Sequence, residues 1–345
     1  MVAPSDLLYE IWGVKVYSDG TVDRTEAEQL LPTVSANAEL ATAGSFSKDV
    51  VIDSSTGTWA RIYVPESAMS SAEARDTKLP ILLYFHGGGF VLCSAASVLF
   101  HDYCCKVASR LKAILISVDY RLAPEHKLPA AFDDGFAALK WLQAQASKTP
   151  QTHQDPWLSS HADFSKCILM GHSAGGTIVA EVALRAASEG VEPVQIRGLI
   201  LAIPFFGGIE RTNSELEHGY SVEDVPLSFT DACWAASLPE GADRSHRYCC
   251  FMGAETQAAM ERETMPPSLV VIGTRDPLRD RQVQFVEFVR KAGHRVTLLE
   301  FDRCVHDDLL YPEVTGEADL DQAHLTMQHF LFQCFQGIIE NSLHR

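Results

Sequence analysis

Six short, mostly apolar runs separated by helix-forming stretches constrain this chain more than any other feature. They are Leu79–Phe85, Ala113–Val118, Cys167–Met170, Leu199–Ile203, Leu269–Ile272 and Val296–Phe301. Strands this apolar need cover on both faces, and helices alternating with them supply it. Leu99, Tyr103, Val107 and Leu111 recur every four residues, the mark of one helical face. Ala130 to Ala146 places Phe132, Phe136, Leu139 and Leu142 on one side, Thr177 to Ser188 is an alanine-rich helix, and a last helix is expected near Leu325 to Ile339. Thr58 to Val64 alternates like a strand, and the small, polar stretch from Ser67 to Lys78 reads as a loop. The expected fold is α/β, a mostly parallel central sheet flanked by helices.

Two stretches break the alternation. The first 45 residues read as irregular, with Val14-Lys15-Val16-Tyr17 running into a turn at Ser18-Asp19-Gly20. Residues 205–260 carry turn residues, Phe229, Trp234, Cys249 and Cys250 but no strand pattern. An insertion of that size between sheet strands is expected to form a helical cap, with the amino-terminal segment contributing to it. Residues 1–345 are thus expected to form one domain.

Composition narrows the function classes. The 345 residues are 46% apolar and 21% charged, ordinary for a globular protein, with a formal net charge of −17. That sign disfavours nucleic acid and anionic membrane surfaces as partners. Met1-Val2-Ala3-Pro4-Ser5-Asp6 lacks a secretory signal's basic start and apolar core, and no apolar run reaches the roughly 18 residues of a membrane span. Nine cysteines, including the pairs Cys104-Cys105 and Cys249-Cys250 but no Cys-x-x-Cys, suggest free thiols in a reducing compartment. The cytoplasm is expected, with the nucleus as an additional location; oligomeric state is not legible.

Gly171-His172-Ser173-Ala174-Gly175 follows one strand and opens a helix. A nucleophile elbow needs that context: the tight turn crowds the flanking positions, so glycines stand there, and it lifts the serine hydroxyl above the sheet edge. On a mostly parallel sheet such an elbow points to the α/β-hydrolase fold as the expected architecture. His86-Gly87-Gly88-Gly89 directly follows the Leu79–Phe85 strand. Attack on an ester carbonyl builds negative charge on oxygen, and amides uncovered by side chains can hold it. Gly87, Gly88 and Gly89, with the N–H of Ala174, are the expected oxyanion hole; neither a Gly-Lys-Ser/Thr nor a Gly-x-Gly-x-x-Gly pattern points to phosphate instead.

A hydroxyl needs a histidine base, and the base a carboxylate to orient it. Asp276 lies just past the Leu269–Ile272 strand, and His306 lies five residues past the end of Val296–Phe301. Both fall on the edge where Ser173 is expected. His294 precedes a strand, and His324 and His329 fall in the terminal helix. Asp280, Asp302, Asp307 and Asp308 also lie near enough in sequence to compete for the acid role, but Asp276 sits at the strand end, beside a stiffening proline.

With these residues in place, the chain resembles the plant carboxylesterases of the hormone-sensitive-lipase-like group over nearly its whole length. The resemblance rests on Val16–Val22, His86–Gly89, Asp119–Glu125, Pro129–Gly135, the Ser173 elbow, Pro204–Gly208 and Asp276–Arg281. It implies an enzyme that cleaves small carboxylic esters without metal or organic cofactor, with Ser173 as nucleophile, His306 as base, Asp276 as orienting acid, and Gly88, Gly89 and Ala174 as oxyanion donors. Three departures stand out. His172 precedes the nucleophile where aspartate is usual, Thr177 replaces a common asparagine, and Asp307-Asp308-Leu309 follows the base in place of glycine or alanine and then phenylalanine. The same group contains gibberellin receptors, which lack the histidine, and dehydratases and cyclases of specialised metabolism, so a receptor and a non-hydrolytic enzyme are the rival readings.

Overall fold

The computed structural model describes residues 6–69, 78–147, 154–220, 225–306, 308 and 317–336. Eleven strands fall within them: β1 (Leu7–Ile11), β2 (Val14–Tyr17), β3 (Val22–Asp23), β4 (Ser45–Asp53), β5 (Thr58–Pro65), β6 (Leu79–Phe85), β7 (Ile114–Asp119), β8 (Ala162–His172), β9 (Ile196–Ala202), β10 (Ser268–Gly273) and β11 (Val296–Phe301). Eight make one sheet in the order β11-β10-β9-β8-β6-β7-β5-β4. From β11 to β7 all neighbours are parallel, while β5 runs antiparallel to β7 and β4 antiparallel to β5.

Successive residues of a strand point to opposite faces, and here both faces are covered. Ile81, Leu83 and Phe85 pack with helices α4 (Ala130–Ala146), α6 (Ala174–Glu189) and α10 (Arg279–Lys291). Leu82 and Tyr84 enter a second core with α3 (Val98–Leu111) and α11 (Glu317–Gln336). This is why the central runs show no apolar–polar alternation in sequence. The loop expected from Ser67 to Lys78 is corrected at its start, where Ser67–Met69 complete one helical turn, α2 (Glu66–Met69); residues 70–77 lie outside the described residues. The expected end of the last helix near Ile339 does too.

The amino terminus corrects an expectation. It is not irregular: β1, β2 and β3 form a three-stranded antiparallel sheet, followed by α1 (Thr25–Leu30). The β1–β2 hairpin turns on Trp12 (φ 44°) and Gly13 (φ 78°), both left-handed as a two-residue primed turn requires. A tryptophan there is not a turn signal, so the pattern hid the hairpin. The edge strand β4 was also hidden, because its polar and charged residues suit an edge paired only with β5.

Between β9 and β10 the described residues carry helices only: α7 (Asn213–His218), α8 (Leu227–Ser237) and α9 (Ala254–Arg262). The remaining helix, α5 (Pro156–His161), precedes β8. Among the described residues no helix is long and apolar enough to cross a membrane.

Candidate active site

Parallel strands end at a common edge, and the register brings four loops together there. Phe85 of β6 pairs with Gly171 of β8, His172 with Ala202 of β9, and Gly273 of β10 with Phe301 of β11. The residues that follow these strands are His86–Gly89, Ser173, Asp276 and His306. Residues distant in sequence therefore meet because the strands they follow are neighbours.

Ser173 sits between β8 and α6 with φ 50° and ψ −116°, a strained conformation for a residue with a side chain. Crowding explains the flanking glycine: a Cβ on Gly175 would lie 2.0 Å from the carbonyl oxygen of Phe85. The serine hydroxyl lies 2.9 Å from Nε2 of His306, and Nδ1 of the same ring lies 2.9 Å from Oδ2 of Asp276. Ser173, His306 and Asp276 are all buried. A carboxylate with no exposure is costly unless its lone pairs are filled. Asp276 fills them with the N–H of Leu278 at 2.7 Å, the side-chain amide of Gln282 at 2.7 Å and the His306 ring.

The competing carboxylates are engaged elsewhere. Asp280 accepts from the N–H of Ser214, Asp302 from the hydroxyl of Thr274, and Asp308 from the N–H of Val305. Asp307 lies outside the described residues. Gln282 was not visible as a site residue, since a glutamine one helical turn into α10 looks like any other helix residue.

Gly87, Gly88 and Gly89 line the cavity beside Ser173. Gly89 has φ 62°, and a Cβ there would lie 2.5 Å from Sγ of Cys233 in α8, so this loop leaves no room for a side chain. Among the described residues the N–H groups of Gly88, Gly89 and Ala174 donate to no other group. The loop is held from behind by His86, which stacks on Tyr120 at 4.3 Å while the Tyr120 hydroxyl donates to the His86 carbonyl at 2.9 Å. Burial pushes the pKa of His86 down.

The cavity measures about 80 Å³ and draws its apolar walls from separate parts of the chain. Trp12 and Leu31 come from the amino-terminal segment, Leu99 and Phe100 from α3, and Val225 and Phe229 from the stretch between β9 and β10. Trp12 and Phe229 meet with ring centroids 5.1 Å apart. Trp234 does not line the cavity; it is buried and stacks on Phe205, which does. Helix α7 is fastened to the turn after β10. The Ser214 hydroxyl donates to the Pro277 carbonyl and accepts from the N–H of Asp280, while Glu215 pairs with Arg281.

Two of the departures have visible partners. The Thr177 hydroxyl donates to the Phe205 carbonyl, tying α6 to the cavity wall. His172 is 1% exposed, and its Nδ1 lies 3.1 Å from the Tyr84 hydroxyl. Burial, and to a lesser degree His306 nearby, pushes its pKa down to about 3, so the ring is neutral at ordinary pH.

Residues 82–310 match a family described as alpha/beta hydrolase fold. Carboxylesterase 20 of Arabidopsis thaliana is 42% identical over 83% of this chain and 85% of its own length. The 3-O-acetylpapaveroxine carboxylesterase CXE2 of Papaver somniferum is 41% identical over 72% and 79%. Among solved structures, the thermophilic carboxylesterase EstE1 from a metagenomic library superposes with a TM-score of 0.68 at 27% identity, covering 88% of this chain and 94% of that one.

Proposed function

This chain belongs to the α/β-hydrolase fold family, and from that membership we propose that it is a serine carboxylesterase acting on small, uncharged carboxylic esters. One observation carries the reading: a single imidazole stands 2.9 Å from both the Ser173 hydroxyl and the Asp276 carboxylate. In the proposed reaction, Oγ of Ser173 attacks the ester carbonyl carbon while Nε2 of His306 takes its proton. The charge on the carbonyl oxygen is received by the N–H groups of Gly88, Gly89 and Ala174, with Gly87 forming the adjoining wall. Collapse expels the alcohol, which leaves with the proton from Nε2, and Ser173 is acylated. Water then gives its proton to His306 and its oxygen to the acyl carbon, which releases the acid and restores the serine. Asp276 keeps the ring turned and its Nδ1 proton in place throughout.

Turnover of p-nitrophenyl acetate tests the reading. No turnover together with tight binding of a small ligand would favour the receptor. The dehydratase reading would be favoured by elimination of water from a ligand outpacing any ester cleavage. The receptor reading also expects the base to be missing, and His306 is present. Seven of the nine cysteines are buried, as small core residues are, which supports a reducing compartment and the cytoplasm.

Gln282 is proposed as a positioning residue, because its amide shares Oδ2 of Asp276 with the imidazole. Gln282→Leu is expected to lower kcat about tenfold and leave KM unmoved. That loss corresponds to about 1.4 kcal/mol, close to the lower end of the roughly 1.5–3 kcal/mol typical of a hydrogen bond to a charged group. An unaltered kcat would mean that Leu278 and His306 hold the carboxylate unaided.

Residues 1–45 and 205–260 are proposed to act together as the cap that sets substrate choice. The Trp12–Phe229 contact spans the two segments, and both rings face the cavity. Trp12→Ala and Phe229→Ala should each raise the kcat/KM of hexanoate relative to acetate esters by about tenfold, since one methylene in an apolar pocket is worth that order. An unchanged chain-length profile in both variants counts against the cap.

A further inference from the structure

We infer that His172 is a specificity residue: its outer ring nitrogen donates a hydrogen bond to an acceptor oxygen carried by the ester within a few bonds of the scissile carbonyl. The inference rests on the esterase reading and names the class of ester, one bearing an ether or carbonyl oxygen beside the reacting group rather than a plain alkyl chain.

Apart from the Ser173–His306 pair, the cavity has few polar side chains, and its walls are otherwise glycine and apolar groups. His172 is one of those walls and is almost wholly buried. Its ring is fixed in place, edge-on to both Tyr84 and Tyr103, with centroids 5.7 and 4.7 Å away. Its Nδ1 is taken by the Tyr84 hydroxyl, and among the described residues Nε2 has no hydrogen-bond partner.

The tautomer follows from counting donors. Tyr84 is fully buried, and burial pushes its pKa up, so the phenol keeps its proton. The nitrogen of His172 is the one acceptor within reach of that proton among the described residues. A neutral imidazole that accepts at Nδ1 carries its hydrogen on Nε2. A donor is therefore presented to the cavity. An ester that fills the space displaces whatever water solvates this N–H, and a plain alkyl group leaves it unsatisfied. Sites with a buried donor discriminate against substrates that cannot pair with it. For one neutral donor the expected discrimination is about tenfold to a hundredfold.

Two pairs of esters, matched in shape and differing by one oxygen, test this. One is p-nitrophenyl methoxyacetate against p-nitrophenyl butyrate; the other is 2-methoxyethyl acetate against butyl acetate. Each kcat/KM is divided by the ester's own rate with hydroxide, which removes intrinsic reactivity. The protein should favour the oxygenated member of at least one pair by about tenfold or more. His172→Phe should bring that ratio close to one, and His172→Gln, which restores a donor, should recover much of it. A residue that merely packs would alter both members of a pair alike. Labelling of Ser173 by a dialkyl fluorophosphate is run alongside. If Ser173 is labelled but the protein shows no preference, or His172→Phe keeps it, the role of His172 is overturned and the esterase reading stands. If Ser173 is neither labelled nor active on any of the four esters, the esterase reading falls and takes this inference with it.

Discussion

Ser173→Ala is expected to cost about 10⁴- to 10⁶-fold in turnover of a small ester, the scale on which a nucleophile working as one unit with its base is lost. The geometry gives the variant no replacement. Nε2 of His306 is directed at the Ser173 oxygen, and the tight turn between β8 and α6 that lifts this oxygen serves only position 173. Cys93 lines the same cavity, so its thiol is the other nucleophilic side chain in that lining among the described residues. It belongs to a different loop, away from the turn that aims Ser173 at the base. Mass spectrometry after treatment with a dialkyl fluorophosphate should find the adduct on Ser173, and the alanine variant should stay unlabelled with its melting temperature nearly unmoved. Labelling at another residue, or a variant that still turns over at more than a hundredth of the parent rate, would remove Ser173 from the reaction.

The second large effect is at the acid. Asp276→Asn should cost on the order of 10⁴-fold, as loss of the orienting carboxylate does in the serine protease template. Asparagine keeps the shape, but its amide can present a donor where the imidazole needs an acceptor, and the ring then holds its proton on the wrong nitrogen. The four other carboxylates define the control. Asp280 is bound to Ser214, Asp302 to Thr274 and Asp308 to Val305, and Asp302 is also largely exposed. Asp280→Asn, Asp307→Asn and Asp308→Asn should each cost roughly tenfold or less, since none fixes the tautomer. Turnover of one small ester by all four variants, with folding checked by thermal melting, decides it. A crippled Asp307 or Asp308 variant beside an active Asp276→Asn would mean that the acid lies in the base's own loop.

The site was legible where function forces a local pattern. Gly171 and Gly175 stand two residues either side of Ser173 because the turn is sterically severe, and Gly87–Gly89 run together where the proposed oxyanion hole needs bare amides. Asp276 and His306 could be found only through the sheet, by asking which carboxylate and which imidazole follow late strands. Gln282 could not be found at all: its role exists only because the first turn of α10 passes over Asp276, a fact of three-dimensional packing. The same limit applied to the walls. Phe229 and Trp234 look alike in sequence as large apolar residues of one helix, yet one faces the cavity and the other stacks behind Phe205. The amino-terminal hairpin escaped because Trp12 occupies a left-handed turn position that glycine or asparagine usually marks. The central strands, buried on both faces, were the easiest elements to read, and the polar edge strand β4 the hardest.

The attachment of α7 to the turn after β10 bears on the order in which the molecule assembles. During synthesis, residues 213–218 leave the ribosome well before Pro277, Asp280 and Arg281, the groups that hold Ser214 and Glu215. The helix has its own capping box, in which Thr212 and Glu215 satisfy each other's backbone N–H groups, so it can form early. It has no seat until β10 has joined β9 and α10 has begun. The turn that receives the helix is the turn that carries Asp276. Docking α7 and fixing the turn that holds Asp276 are therefore expected to be one late event, completed after the Ser173 turn is already built.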